Sequence, residues 1–258
     1  MLQEERLLRI RSLLVAFPRL SVERISQDLA VSRETVRRDL VQLESAGELR
    51  RVHGGAVAAS AAPEPPLAQR LAARQKEKRA IAKAAVALLQ PGQTLFLDAG
   101  STNTILADEL ATLSGMVVVT NSLAIALKLA QANEARDGRN RTLLLGGDID
   151  ARTQATCGAE TIAEIHRLHA DVALLSPVGL HPKHGAMSFQ HHEAAVARAM
   201  AAQAQRVVIL ADHSKLGQAS RVAYARPAEI GTVVTDARAR GTPALAALRK
   251  SCGQVIVA

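Results

Sequence analysis

VSRETVRRDL, Val31–Leu40, sets three arginines and a threonine within six positions behind a serine suited to cap a helix. Whether this is a solvated helix face or a surface that touches a partner depends on what flanks it. Val36, Leu40 and Leu43 recur at helical spacing, so they predict a buried stripe, with Val31 stapled onto Val36 ahead of the Ser32 cap. A rotation of about 100° per residue then sends Glu34, Arg37 and Arg38 outward, leaves Thr35 on the flank and puts Arg33 in the first turn.

Upstream, Ser21 caps a second amphipathic segment in which Val22, Ile25 and Leu29 share one face and Leu20 staples onto Ile25. Leu7, Ile10 and Leu14 mark an earlier helix that ends near Phe17-Pro18. Only Ala30 and Val31 separate the two later helices, which predicts a tight helix-turn-helix. Downstream, LRRVHGGAV (Leu49–Val57) reads as two short strands around Gly54-Gly55, a basic hairpin placed as a wing.

Residues 1–57 are therefore expected to form a winged helix-turn-helix domain that binds double-stranded DNA. Its contact candidates are Ser32, Arg33, Thr35, Arg37, Arg38, Arg50, Arg51 and His53, because Arg and Thr at the start of a recognition helix reach base edges and phosphates. This stretch holds ten Arg and no Lys against eight acidic residues. It is not an undirected polycation; its positive charge is concentrated at a few positions, as fixed phosphate contacts require.

The whole chain of 258 residues suits one small domain joined to a larger one. Aromatic residues are only three Phe and one Tyr with no Trp, which argues against a platform that stacks bases. A net charge of +8 favours anionic partners. Cys157 and Cys252 lie far apart with no metal-ligand spacing, and no apolar run has the length to span a bilayer. The expectation is a cytoplasmic protein without membrane contact, cofactor or metal.

A Pro- and Ala-rich stretch marks a linker over 58–74, followed by an α/β domain over 75–258. Arg74, Lys76, Lys78, Arg79 and Lys83 give the first helical segment a basic face, which either lies near DNA or is simply solvated. From Thr94 onward, TLFLDAG, MVVVTNS, TLLLGGD, DVALLSPVG, RVVILADHS, TVVTD and QVIVA alternate with helical segments. Strands apolar on both faces predict a doubly wound, largely parallel sheet.

In such sheets ligands bind outside the carboxyl ends of the strands. DAGSTNT is the most informative end: Asp98 closes a strand, Gly100 lets the backbone turn closely, and Ser101, Thr102 and Asn103 offer donors at a helix start, which suits a phosphate or carboxylate. Lys215 lies at another strand end. No phosphate-loop lysine pattern or G-x-G-x-x-G occurs, so nucleotide binding is disfavoured.

With VSRETVRRDLVQLESAGELRRVHGGAV, FLDAGST, VVTNS, LLGGD, HHEAAVARAM and LADHSKLG in this order, the chain resembles the DeoR family of bacterial transcriptional regulators along nearly its whole length. The resemblance implies a winged helix-turn-helix joined to a sensor domain similar to ribose-5-phosphate isomerases and CoA transferases. It further implies a repressor of a carbohydrate-catabolism operon, released from its operator by a phosphorylated sugar; because one recognition helix reads one half-site, a homodimer or homotetramer is expected. By that match the effector site comprises Asp98, Gly100, Ser101, Thr102 and Asn103, with Asn121, Gly147, Glu193 and Lys215 lining the rest. Ser176-Pro177-Val178-Gly179 departs from the Gly-x-Asp-Gly common in the family, and His181, His184, His191 and His192 follow it, which leaves a sugar acid or another polyol phosphate as alternative effectors.

A reading from a different class is a sugar-phosphate isomerase or deaminase fused to a DNA-binding domain, with Asp98, Glu193, Asp212 and His213 as acid/base groups. No pair of them has a spacing that fixes such roles, so no catalytic residue is assigned.

Overall fold

A computed structural model of the chain describes residues 3–17, 19–45, 48–58, 65–134 and 140–258. It divides into two units, one built from residues 1–63 and 218–221 and the other from 64–217 and 222–258. Pro18 and residues 59–64 of the expected linker lie outside the described residues. The rest of that linker is partly ordered, because Leu67–Ala72 is a helix of the second unit with Leu67 buried.

The first unit runs α1 (Gln3–Ala16), β1 (Arg19–Ser21), α2 (Val22–Leu29), α3 (Arg33–Ser45), β2 (Leu49–Val52) and β3 (Gly55–Ala58). Leu7, Ile10, Leu14, Ile25, Leu29, Val36, Leu40 and Leu43 pack into a single core with Leu20 and Leu49, so the expected helical stripes all point inward. Burying each such aliphatic side chain contributes roughly 1.5–3 kcal/mol, and this aliphatic cluster is what holds so small a unit together.

Caps set the turn between α2 and α3. Ser21 accepts from the Arg24 amide and Ser32 from the Thr35 amide, both at 3.1 Å. Ala30 takes a left-handed conformation at φ 53°, and its amide closes onto the last turn of α2. A glycine usually fills this role, since a Cβ here costs roughly 1–2 kcal/mol. The Ser26 hydroxyl, which donates to the Val31 carbonyl at 2.6 Å, helps to fix the turn.

The sheet of this unit is β1-β3-β2, antiparallel throughout. β1 was not apparent in the sequence, because its three residues, Arg19–Ser21, are too few to show alternation. A Cβ on Gly55 would stand 2.1 Å from the Leu20 carbonyl oxygen, so the wing needs glycine there for β3 to reach β1.

The second unit begins α4 (Leu67–Ala72), α5 (Gln75–Val86), β4 (Thr94–Leu97), α6 (Ser101–Leu110), β5 (Val117–Thr120), α7 (Leu123–Glu134), β6 (Arg141–Leu144), β7 (Asp148–Asp150), β8 (Ala155–Cys157) and α8 (Ala159–His166). It continues with β9 (Ala170–Leu175), β10 (Gly179–His181), β11 (Gly185–Ser188), α9 (His191–Ala202), β12 (Ala204–Leu210), β13 (Val222–Ala225), β14 (Thr232–Thr235), α10 (Pro243–Ser251) and β15 (Gln254–Val257).

All seven strands expected from the sequence join one parallel sheet, ordered β15-β14-β12-β9-β4-β5-β6. Successive residues serve opposite faces: Leu95 and Leu97 pack with α5, α6 and α7, whereas Phe96 packs with α8, α9 and α10. That two-sided burial is why these strands read as continuous apolar runs. Three antiparallel pairings were not expected: β7 with β8, and β11 with both β10 and β13.

The chain leaves β4 toward one edge of the sheet and returns at β9 to build toward the other. Connections therefore diverge above the boundary between β4 and β9, and a crevice opens there. Among the described residues no helix is long and apolar enough to cross a membrane.

Candidate functional site

On the first unit, the side chains of Arg33, Arg37 and Arg38 are 64%, 65% and 80% exposed along the outer face of α3. Arg33 pairs with Glu23 of α2. Arg37 and Arg38 both approach Glu34, at 3.8 and 3.6 Å, too far for hydrogen bonds, and such exposed pairs yield readily to a stronger anion. The Ser32 hydroxyl meets that of Thr35 at 2.9 Å, so both sit at the helix start where backbone amides also point outward.

The acidic residues of this unit are mostly held elsewhere. Asp39 is buried and receives a two-pronged contact from Arg6, at 2.7 and 3.0 Å, which locks α1 onto α3. Glu48 takes Arg11. Glu44 accepts the Arg51 amide at 2.8 Å and its guanidinium at 2.6 Å, and the guanidinium hydrogen bond holds this carboxyl below its ordinary range.

Arg51, expected as a DNA contact, thus fastens the wing to α3. Arg50 and His53 are exposed on the hairpin.

In the second unit two adjoining cavities open at the crevice above β4 and β9, and Arg70 and Ser176 line both. The first is the cationic one, with a volume of about 290 Å³. Arg70, Arg74, Lys78 and Lys215 surround it, against Asp212 as the one lining carboxylate among the described residues, and Ser101 and Thr102 bring the start of α6 to its wall. Arg74 reaches Asp212 at 3.1 Å.

Burial would raise the Asp212 carboxyl, but the Ser214 hydroxyl at 2.6 Å, with the Arg74 charge, brings it below its ordinary range. Lys78 is 4% exposed and donates to the Arg70 carbonyl. Burial, then the neighbouring Arg74, Lys215 and Arg70, lower its pKa to about 8 against the pull of Asp212. An anion in this cavity would relieve that repulsion.

Arg74 begins α5 in a left-handed conformation at φ 53°. Backbone of this kind in a non-glycine residue costs on the order of 1–3 kcal/mol and clusters at ligand sites. The basic face of α5 is therefore divided. Lys78 is buried at the cavity and Arg74, itself exposed, lines it, whereas the exposed Lys76 and Arg79 do not.

The second cavity is lined by Asp98, Asn121, Asp150, Ser188, His192 and Glu193 among others. Burial pushes the Asp98 carboxyl well above its usual range, against hydrogen bonds from the Ser176 amide and the Asn103 side chain. The Ser188 hydroxyl donates to Glu193 at 2.5 Å, and Asp150 meets His192 Nε2 at 2.8 Å.

The nine residues expected at the effector site thus separate. Ser101, Thr102 and Lys215 line the cationic cavity; Asp98, Asn121 and Glu193 line the polar one. Gly100, Asn103 and Gly147 line neither.

Gly100 permits contact between the β4 and β9 ends, since its Cβ would stand 2.9 Å from Ser176 Cβ. Asn103 ties those ends together by donating to the Leu174 and Asp98 carbonyls at 2.9 and 3.1 Å. Gly147, at φ 131°, packs where a Cβ would stand 2.1 Å from Thr161 Oγ1. Its conformation serves the β6–β7 connection. Asn121 also braces loops, accepting from the Ala99 amide and donating to the Thr156 carbonyl.

Arg70, Asp150 and His192 went unassigned to this site in the sequence, and no local pattern marks them. The other histidines of that region are apart from it: His181 and His184 stack with ring centres 4.7 Å apart, and His191 is exposed.

The family model for a DeoR-like helix-turn-helix domain matches residues 6–62, and that for the DeoR C terminal sensor domain matches residues 73–237. The chain is 35% identical to the HTH-type transcriptional repressor GlcR of Bacillus subtilis, over 92% of this chain and 89% of that protein. It is 30% identical to the Glycerol-3-phosphate regulon repressor of Escherichia coli, over 84% of each. Among solved structures it is similar to ribose 5-phosphate isomerase A of Methanocaldococcus jannaschii, at 17% identity and a TM-score of 0.39, covering 55% of each chain.

Proposed function

The chain belongs to the DeoR family of DNA-binding transcriptional regulators and is a regulator, not an enzyme; from that premise we propose that it represses a carbohydrate-catabolism operon and leaves its operator when a phosphorylated sugar binds the second unit. The observation that carries this reading is the division of charge between the two cavities. One end offers cations and a helix start to a phosphate. The other offers carboxylates, hydroxyls and an imidazole to the hydroxyl groups of a polyol.

A sugar acid fits this division less well, because its carboxylate would face Asp150 and Glu193. The name of the Escherichia coli relative, a Glycerol-3-phosphate regulon repressor, agrees with a phosphorylated polyol.

On the DNA side, α3 enters the major groove with Arg33, Thr35, Arg37 and Arg38 forward, Ser32 at its cap, and Arg50 and His53 contacting phosphates from the wing. Arg51 supports the wing through Glu44. One such helix reads one half-site, so operator recognition requires a homodimer or homotetramer.

A screen of phosphorylated sugars, polyol phosphates and phosphorylated sugar acids by thermal unfolding tests the effector assignment. A ligand at a hundred times its Kd stabilises the folded state by about 2.7 kcal/mol. The expected hits are neutral sugar or polyol phosphates, lost in Lys215→Ala. Stabilisation by phosphorylated sugar acids alone, or hits unaffected by Lys215→Ala, would overturn it.

A further inference from the structure

Asp150, His192 and Glu193 stand together at the polar cavity, with one possible ligand atom from each lying within 4.8 Å of the others. They come from two separate pieces of chain, the end of β7 and the first turn of α9. Atoms bound to one divalent ion at roughly 2.0–2.2 Å are about 3–4 Å apart, so small side-chain rotations bring this group to a common centre.

Asp150 is 16% and His192 41% exposed at the side chain, which leaves a route for entry from solvent.

We propose that these three side chains form a binding site for one first-row divalent cation, such as Zn²⁺ or Mn²⁺, with its open coordination positions facing the polar cavity. One imidazole with two carboxylates favours these ions over Mg²⁺, which prefers oxygen ligands and retains its water. Three protein ligands leave room for water or for two hydroxyl oxygens of a bound polyol.

Two features oppose the cation. The start of α9 carries positive partial charge, and Arg152 comes within 3.9 Å of Glu193. Two carboxylates outweigh the partial charge of the helix, and Arg152, 37% exposed and beyond hydrogen-bond distance, can swing into solvent. Arg152 therefore competes with the metal, an expectation that a plain Asp150–His192 ion pair does not share.

The ion's contact with an effector rests on the sugar-phosphate reading above, but its binding to the ligand-free protein does not. The test accordingly uses the full chain without sugar phosphate: calorimetric titration with ZnCl₂, and electron paramagnetic resonance of bound Mn²⁺.

The expected result is saturable binding of one ion per chain, weakened at least tenfold in both His192→Ala and Asp150→Asn. Arg152→Ala should tighten it severalfold, and His184→Ala, which breaks the stacked histidine pair, should leave it unchanged. Circular dichroism confirms that each variant is folded. Absence of saturable binding in the wild type, persistence in His192→Ala and Asp150→Asn, loss in His184→Ala, or weakening in Arg152→Ala would each overturn the site.

Discussion

Lys78 allows the cationic cavity to be tested through pH alone. Its ammonium group is buried, and its pKa is lowered to about 8. In the unfolded chain the same group titrates near 10.4. Between these values the unfolded state binds more protons, so the ligand-free protein gains stability as pH rises from 8 toward 10.4. Below pH 8 both states are protonated and the full cost of burying the charge is present, on the order of 3 kcal/mol for a displacement of this size.

A phosphomonoester is already a dianion at pH 7, since its second pKa is about 6. If only charged Lys78 supports its binding, the competent fraction falls from about 90% at pH 7 to about 10% at pH 9, a tenfold loss of affinity or about 1.4 kcal/mol. Calorimetric titration of a stabilising sugar phosphate across this range should show the fall, and Lys78→Met should flatten the profile while weakening binding at pH 7. The same variant, free of a buried charge, should unfold at a higher temperature than the wild type when both lack ligand. Affinity that is constant from pH 7 to 9, or a fall that persists in Lys78→Met, would refute the assignment of Lys78 to the phosphate end.

Arg37→Ala should weaken operator binding by roughly 1–3 kcal/mol, as loss of a base or phosphate contact does, and leave sugar-phosphate binding unchanged; fluorescence anisotropy with operator DNA checks the first and calorimetry the second. Gly100→Ala forces the β4 and β9 ends apart, because the new Cβ would stand 2.9 Å from Ser176 Cβ. It should lower the unfolding temperature of the second unit and weaken sugar-phosphate binding without altering DNA affinity, and unchanged sugar-phosphate affinity would contradict the close approach. Ala30→Gly relieves the left-handed residue between α2 and α3, worth roughly 1 kcal/mol, and should raise the denaturant midpoint of the first unit.

The sequence made these elements legible wherever periodicity was strong. The stripes of Val36, Leu40 and Leu43 and of Leu7, Ile10 and Leu14 are buried as expected, and all seven apolar runs became strands of one sheet. Apolar spacing carries this information because burial selects for it directly.

The sites were less legible. Lys78 and Arg74 belong to a segment whose charges read equally well as a solvated face, and only the position of α5 at the crevice brings these two to the cavity. Asp150 and His192 are 42 residues apart, so no local pattern joins them. Gly147, expected at the effector site, packs tightly against Thr161, a contact 14 residues away that the local sequence does not show. Arg51, expected at a phosphate, also holds Glu44, seven residues away on another element, which no local pattern announces.

In the proposed function the cationic and polar cavities together bind a phosphorylated sugar, and this binding releases DNA. Its most direct test is anisotropy of labelled operator DNA with the full chain, titrated with the stabilising sugar phosphate against its unphosphorylated counterpart. The account predicts that the phosphorylated compound alone weakens operator affinity, and that Lys215→Ala binds the operator normally but no longer responds. Operator affinity unchanged by every sugar phosphate that stabilises the protein, or equal release by the unphosphorylated sugar, would contradict it.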